Sequence, residues 1–386
     1  MKKRVCCFCE QWKSGGIESF LHGLLLSIDT SKYEIDIVAA DIEKSIFTSD
    51  MEKIGVHFEE LSGKLRSPKN YMLFRRLLRR RRYDVIHFNL FQGLSLYYIQ
   101  IAKEEGVPKR IAHAHGAGLR NSLMKPIKMV LHSIGRKLWV DAATDYWACS
   151  RDAARFLFPS FFETVHVIPN GIDAEKFRFS KEKRETIRTE LKLRENYVVG
   201  NVGRLSSEKN QFFLLYVLAE LIKERPTSRL LLVGDGEEKT KLRKTAKRLG
   251  ISEYVIFYGW SGRVEFLLSA MDVFAFPSRK EGFGISCIEA QASGLSVVCS
   301  PGIPEEVRSS PCVRTVPLST GVQVWAKALL ESSIPEQREC AADRMKKTPF
   351  TLNRMAEWIE AEYADTENAG KKEHFLITDL RMEKEK

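Results

Sequence analysis

The stretch YVVGNVGRLSSEKNQFFLLYVLAELIKE, Tyr197–Glu224, decides the fold class. Its opening, YVVGNV, is a short run of β-branched and apolar residues without polar alternation, the pattern of a strand buried on both faces. GRLSSEKN is a polar loop. NQFFLLYVLAELIKE then repeats apolar residues at three- and four-residue spacing, as a helix does. The unit recurs in SRLLLVGDG with EKTKLRKTAKRLG, and in DVFAFPS with SCIEAQAS. Strands alternating with helices predict a parallel sheet covered on both faces.

The pattern extends towards the N-terminus. RVCCFC, YEIDIVAAD, VHFEEL, DVIHFNL and RIAHAHG read as strands, and IESFLHGLLLSI, GLSLYYIQIAKEEG and RDAARFLF as helices. Pro169, Asn170 and Gly171 are turn residues and mark a domain boundary. The expected organisation is a Rossmann-like domain over 1–170 and a second over 171–345. A helix within 346–366, TLNRMAEWIEAEYAD, is expected to return to the first domain, followed by a charged tail over 367–386. The fold class is α/β, with two doubly wound domains. Ligands of such sheets bind beyond the carboxyl ends of the strands, so two facing domains would share a cleft.

The net charge of +11 favours an acidic partner: nucleic acid, an anionic membrane, or a phosphate-bearing substrate. No nucleic-acid recognition motif accompanies the charge, so nucleic acid is not expected. MLFRRLLRRRRYD gathers Arg75, Arg76, Arg79, Arg80, Arg81 and Arg82 around Leu77 and Leu78. It reads either as a membrane-surface segment or as a charged helix flanking the sheet. The start, MKKRVCCFCEQW, lacks the apolar run of a signal peptide, and no stretch approaches the roughly 20 apolar residues that span a bilayer. The expectation is a cytoplasmic protein, peripheral at the inner membrane face. Eight cysteines form no framework or zinc spacing and read as buried apolar residues.

Several residues carry chemistry. Gly15 and Gly16 open a helix after a strand, where an anion is favoured; a tight structural turn explains them as well. Arg204 and Lys209 flank one loop and can both reach a diphosphate, or form a solvated surface pair. EGFGISCIEA, Glu281–Ala290, sets two carboxylates eight positions apart around a turn. Gly282 and Gly284 bracket Phe283 and leave backbone N–H groups available. Ser286 and Glu289 fit a capping box, which is a purely structural reading of Glu289. Glu281 lies near the carboxyl end of a strand, where a carboxylate can accept hydrogen bonds from sugar hydroxyls. His113 and His115 share one side of a strand end. No carboxylate is spaced to complete a metal site with them, and no metal is expected.

Together SGGIES, HAHG, IPNGID, GRLSSEKN, LLLVGDGEEKTKL, VIFYGW and FPSRKEGFGISCIEAQASGLSVV resemble the retaining GT-B glycosyltransferases of family 4, of the bacterial exopolysaccharide and capsule type. The resemblance implies transfer of a sugar from a nucleotide donor with retention, UDP being the usual nucleotide, to a lipid-linked saccharide acceptor. It implies that Glu281 holds hydroxyls of the donor sugar and Glu289 the ribose. The backbone at Phe283, Gly284 and Ile285 lies along sugar and phosphate. Arg204 and Lys209 neutralise the diphosphate, Gly15 and Gly16 approach it, and His115 sits at the reacting centre. No cofactor or metal is implied. Many relatives carry Pro where Gly284 stands, which leaves the donor sugar open. A nucleotide-sugar epimerase or hydrolase on the same fold, and a non-catalytic nucleotide-sugar-binding subunit, are the competing readings.

Overall fold

Seven parallel strands form the first sheet, with β1 (Lys3–Cys9) third in its order and buried along most of its length. The structure, a computed structural model, describes residues 2–13, 15–43, 45–61, 67–119, 124–308, 310–332 and 338–365. The expected tail over 367–386 and part of the loop before Met124 lie outside these residues. The chain divides into two units: Met1–Gly171 joined by the stretch that begins at Leu352, and Ile172–Thr351. Residues 346–351 thus belong to the second unit.

In the first unit β1 is followed by α1 (Gly16–Ser27), β2 (Tyr33–Ala39), α2 (Thr48–Lys53), β3 (His57–Glu60), α3 (Pro68–Arg81), β4 (Val85–Leu90), α4 (Tyr97–Glu104), β5 (Lys109–Ala114), α5 (Lys125–Trp139), β6 (Asp145–Ala148), α6 (Arg151–Leu157) and β7 (His166–Val167). The strand order is β3-β2-β1-β4-β5-β6-β7. This is the doubly wound order, with its switch point between β1 and β4. Every residue of β4 is buried, which is why VIHFNL carries no polar alternation beyond a histidine and an asparagine that find internal partners.

The arginine segment is α3. Phe74, Leu77 and Leu78 turn inward to the core, while Met72 is exposed. Arg75 bonds Glu104 and Glu105, Arg79 bonds Glu105, and Arg80 bonds Glu59. Arg81 makes a two-pronged contact with the fully buried Asp36, which also accepts from the Tyr83 hydroxyl. Four arginines of α3 are thus paired within the first unit. The helix α5, in contrast, has no counterpart among the elements read from sequence.

The second unit holds α7 (Lys181–Glu190), β8 (Tyr197–Val202), α8 (Gln211–Glu224), β9 (Ser228–Val233), α9 (Lys239–Arg248), β10 (Val255–Gly259), α10 (Val264–Ala270), β11 (Val273–Phe276), α11 (Ile285–Ala292), β12 (Ser296–Cys299), α12 (Glu305–Arg308), β13 (Val313–Thr315), α13 (Val322–Glu331) and α14 (Ala341–Lys346). Its six parallel strands run β10-β9-β8-β11-β12-β13, the same winding with a switch point between β8 and β11. Asp272, at the foot of β11, is buried but paired with Arg184 and Arg188 and accepts from the Val198 amide. Arg338 is buried, and among the described residues it makes no direct ion pair with a carboxylate. Its guanidinium donates to the carbonyls of Leu268, Met271 and Ser293, at the C-terminal ends of α10 and α11, and lies 4.1 Å from the Phe179 ring. A cation at helix C-termini satisfies orphan carbonyls and meets their negative end.

The last helix, α15 (Leu352–Ala364), packs into the first unit. Met355, Ala356, Ile359 and Tyr363 join the core built by α1, β1 and β2. Two lysines close its C-terminus: Lys3 Nζ donates to the Tyr363 and Ala364 carbonyls, and the buried Lys109 Nζ to those of Glu362 and Asp365. All eight cysteines are free, and six are buried.

Candidate functional site

Each sheet places its candidate residues at the carboxyl ends of strands beside its switch point. In the second unit the loop after β8 carries Arg204 and Lys209, and the loop after β11 carries Glu281. Lys209 Nζ lies 2.7 Å from Glu281 Oε1 and 5.0 Å from the centre of the Phe276 ring. The two loops are laced together: Arg279 N donates to the Glu208 carbonyl, Asn210 Nδ2 to the Pro277 carbonyl, and Arg279 to Asn210 Oδ1. Gln211 Nε2 fixes the loop from below, donating to the Arg204 carbonyl and to Asn201 Oδ1. Arg204 itself is exposed, and among the described residues its guanidinium has no partner.

The glycine turn then leads into α11. Phe283 is buried against Phe350, ring centres 5.9 Å apart, so its side chain anchors the turn while its backbone faces the loop. Gly284 adopts φ 94°, a left-handed conformation, and a Cβ there would sit 3.2 Å from the Phe276 ring. Proline, with φ held near −65°, cannot take this conformation. Gly284 is also the N-cap of α11. The capping box expected from Ser286 and Glu289 does not form: the helix starts at Ile285, no side chain caps it, and Ser286 lies within the first turn. Among the described residues, the N–H groups of Phe283, Gly284, Ile285 and Ser286 donate to no protein acceptor. Such a helix start favours an anion.

Glu289, one turn on, is half-buried, and its carboxyl is pushed up to about 7. Burial is the main cause, and Glu265 adds to it. Lys176 and Lys209 pull the other way without cancelling it. Freed from a capping role, Glu289 is a partly buried carboxyl with hydrogen-bonding capacity to offer.

In the first unit Gly15 and Gly16 stand at the N-terminus of α1, after β1. Nothing lies within 4 Å of a Cβ built on Gly16, whereas one on Gly15 would meet Glu18 Oε2 at 2.7 Å. Glu18 Oε1 accepts from the Lys13 amide at 3.0 Å. The first turn of α1 therefore already carries a carboxylate, which the glycine pattern alone does not reveal.

His115 follows β5. Its Nε2 lies 2.9 Å from Asn89 Oδ1 at the end of β4. Asn89 Nδ2 donates to the Phe8 and His87 carbonyls, which fixes the amide with its oxygen towards the histidine. Nε2 of His115 is thereby assigned the proton and Nδ1 the lone pair. Burial lowers His115 to about 3, so the ring is neutral. His113 is its neighbour, ring centres 4.0 Å apart, and continues a buried chain: His113 Nδ1 to His87 Nε2 at 2.9 Å, and His87 Nδ1 to the Tyr363 hydroxyl at 2.7 Å. Burial holds His87 and His113 well below their ordinary range too, with neighbouring imidazoles adding to the effect. Asn89 and Tyr363 are the residues that sequence reading missed. Asn89 left one signal, a polar residue in an otherwise apolar strand. Among the described residues no group of three or more His, Cys, Asp and Glu is placed to hold a metal ion.

Residues 14–176 match Glycosyltransferase Family 4, and residues 183–310 match Glycosyl transferases group 1. The two matches lie end to end and take in about three quarters of the chain. The chain is a glycosyltransferase of the GT-B type. Over 357 residues the transferase is 28% identical to the protein named EpsF of Bacillus subtilis (strain 168), covering 90% of each chain. It is 27% identical over 333 residues to a GDP-mannose-dependent monoacylated alpha-(1-6)-phosphatidylinositol monomannoside mannosyltransferase of Corynebacterium glutamicum, covering 82% of this chain and 84% of the other. Among solved structures, Anabaena Alr3699/HepE in complex with UDP and glucose matches the fold with a TM-score of 0.74 at 20% identity, over 94% of this chain and 99% of that one.

Proposed function

We propose that this transferase moves a sugar, with retention, from a nucleoside-diphosphate donor to a lipid-linked saccharide in exopolysaccharide or capsule synthesis. The observation that carries the reading is the Lys209–Glu281 pair at the switch point of the second sheet, beside the start of α11. One group of the pair suits a leaving phosphate and the other a sugar hydroxyl. UDP is the proposed nucleotide, on the family resemblance and on the ligand of the Anabaena structure; the Corynebacterium relative is named for GDP-mannose.

In this reading the C1–O bond to the diphosphate breaks as the acceptor oxygen bonds C1 on the same face. The acceptor proton passes to the departing phosphate oxygen. Negative charge grows on that oxygen, and Lys209, Arg204 and the N–H groups at the start of α11 are preorganised to stabilise it. These fixed charges make a divalent metal unnecessary. Lys209 exchanges its contact with Glu281 for the phosphate, which leaves Glu281 to accept from the donor sugar. Glu289 accepts from the ribose. In the first unit, the glycine turn at Gly15 and Gly16 and neutral His115 are the groups offered to the reaction, His115 as a hydrogen-bonding group.

The test is turnover of a panel of nucleotide sugars by purified protein in EDTA, with Lys209→Ala and Glu281→Ala beside it. One nucleotide should be released in the wild type, and both variants should lose roughly 100-fold or more in kcat. An inverted anomeric centre in the transferred product would overturn retention, and dependence on added Mg²⁺ would overturn the metal-free reading. No turnover of any donor would return weight to a non-catalytic subunit.

A further inference from the structure

The first unit carries one helix whose apolar residues face away from the protein. On α5, Ile127, Val130, Ile134 and Leu138 are 53%, 60%, 44% and 61% exposed, and Met124, just before the helix, is 53% exposed. Their spacing of three, four and four residues puts them on one stripe. The opposite face is pinned. His132 Nδ1 accepts from the Gly93 amide at 2.8 Å, and the His132 ring stacks on Phe156 with centres 4.3 Å apart. A Cβ on Gly135 would fall 2.3 Å from the Gly93 carbonyl oxygen, so the helix lies directly on the backbone at Gly93. Arg136 also turns inward, to the Phe156 carbonyl. The stripe cannot roll into the core without breaking these contacts.

We infer that α5 is a membrane-docking helix that lies in the surface of an anionic bilayer, with Ile127, Val130, Ile134 and Leu138 inserted. Three observations favour lipid over another protein. Besides the inward-turned Arg136, the helix carries Lys125, Lys128 and Lys137 and no acidic residue. At about 100° per residue, Lys128 and Lys137 flank the stripe on opposite sides, where their stems can lie along it with the charges at the headgroup level. The stripe is aliphatic and lacks the aromatic anchors that centre protein interfaces, while lysine is depleted from such interfaces. An apolar stripe with a basic rim and no acids is the pattern of an interfacial helix. Its place in the fold gives the contact a use. Gly93, on which α5 rests, lies just beyond the carboxyl end of β4, the end of the sheet that also carries His115. Docking through α5 therefore brings the membrane to the side of the first sheet where chemistry is placed.

The test is sedimentation of the full chain with vesicles of phosphatidylcholine alone and with about one third phosphatidylglycerol. The wild type should bind the anionic vesicles, and salt should weaken the binding. Ile134→Ser with Leu138→Ser should reduce partitioning roughly thirtyfold. Lys128→Glu with Lys137→Glu should reduce it about tenfold or more. Arg76→Ala, on α3, should leave it unchanged. Both serine substitutions replace exposed side chains, so the variant should keep its melting temperature and its turnover of a soluble donor. That turnover separates a failure here from a failure of the transferase reading. Unchanged vesicle binding in the serine variant, no binding of the wild type to anionic vesicles, or an equal loss in Arg76→Ala would overturn the proposal. So would a wild-type dimer that the serine variant converts to monomer, which would assign the stripe to a second copy of the chain.

Discussion

Replacing Glu289 with Gln separates the stability of the second unit from its function. The carboxyl is raised from 4.5 to about 7, mainly because burial disfavours its charged form. The native state thus holds this proton more tightly than the unfolded chain does. As pH rises from 4.5 to 7 the unfolded chain ionises first, and the native state loses stability relative to it. Full linkage would be roughly 3 kcal/mol above pH 7, at about 1.4 kcal/mol per tenfold in proton affinity. The side chain is only half-buried, so solvent screening reduces this to about 1–2 kcal/mol. Glutamine keeps the shape and removes the ionisation. At pH 8, Glu289→Gln should melt roughly 2–6 °C higher than the wild type. At pH 5 the gain should shrink to about a quarter, since native Glu289 is then mostly protonated and as neutral as glutamine. The same variant should bind nucleotide about tenfold or more weakly at pH 8, because a charged acceptor for the ribose is gone. Melting curves at both pH values, with calorimetric titration of the nucleotide, read out both effects. A gain independent of pH, or a variant less stable at pH 8, would refute the burial argument. Unchanged nucleotide affinity would refute the ribose assignment.

Asn89→Asp places a carboxylate against His115 Nε2, where an amide oxygen now stands at 2.9 Å. It should raise the histidine by roughly 1–3 in pKa from about 3, and move the acid limb of the kcat/KM profile upward; an unmoved profile would mean that Asn89 does not set the ring's state. Arg338→Met removes the donors to three buried carbonyls and should destabilise the second unit by about 3–4 kcal/mol in urea unfolding. In the first unit, His87, His113 and His115 are held neutral by burial, so the unfolded chain takes up protons first below pH 6.5. Acid should therefore weaken this unit as pH falls through 6.5, the opposite sense to Glu289, and His113→Phe should reduce that acid slope in urea melts.

Much of the architecture was legible because parallel strands buried on both faces read as unbroken apolar runs, and β1, β4, β8, β9 and β11 do so. The glycine and charge motifs fell at the carboxyl ends of strands for the same reason: a strand that ends cleanly shows where its loop begins. What failed was local chemistry with two solutions. Ser286 and Glu289 have capping-box spacing, but Gly284 can enter a left-handed conformation and start the helix two residues earlier. The arginines of α3 read as surface charge because Asp36, Glu59, Glu104 and Glu105 are distant in sequence. Asn89 meets His115 only through the β4–β5 register, which pairs Leu90 with Ala114. The outward stripe of α5 inverts the rule that apolar residues mark the core, and the helix was not read from sequence at all.

The return of α15 to the first unit bears on how the chain is made. A ribosome delivers Met1–Gly171 first, but Met355, Ile359 and Tyr363, which complete that core, arrive only after all of Ile172–Thr351. The second unit is continuous and can fold as it emerges. The first must wait with the apolar flank of α1 and the core side chains of β1 and β2 beside it uncovered, and His87 without the hydroxyl that later meets it. Newly synthesised chains thus pass through an interval in which the N-terminal half exposes part of its core. Truncation shortly before Leu352 would make that interval permanent.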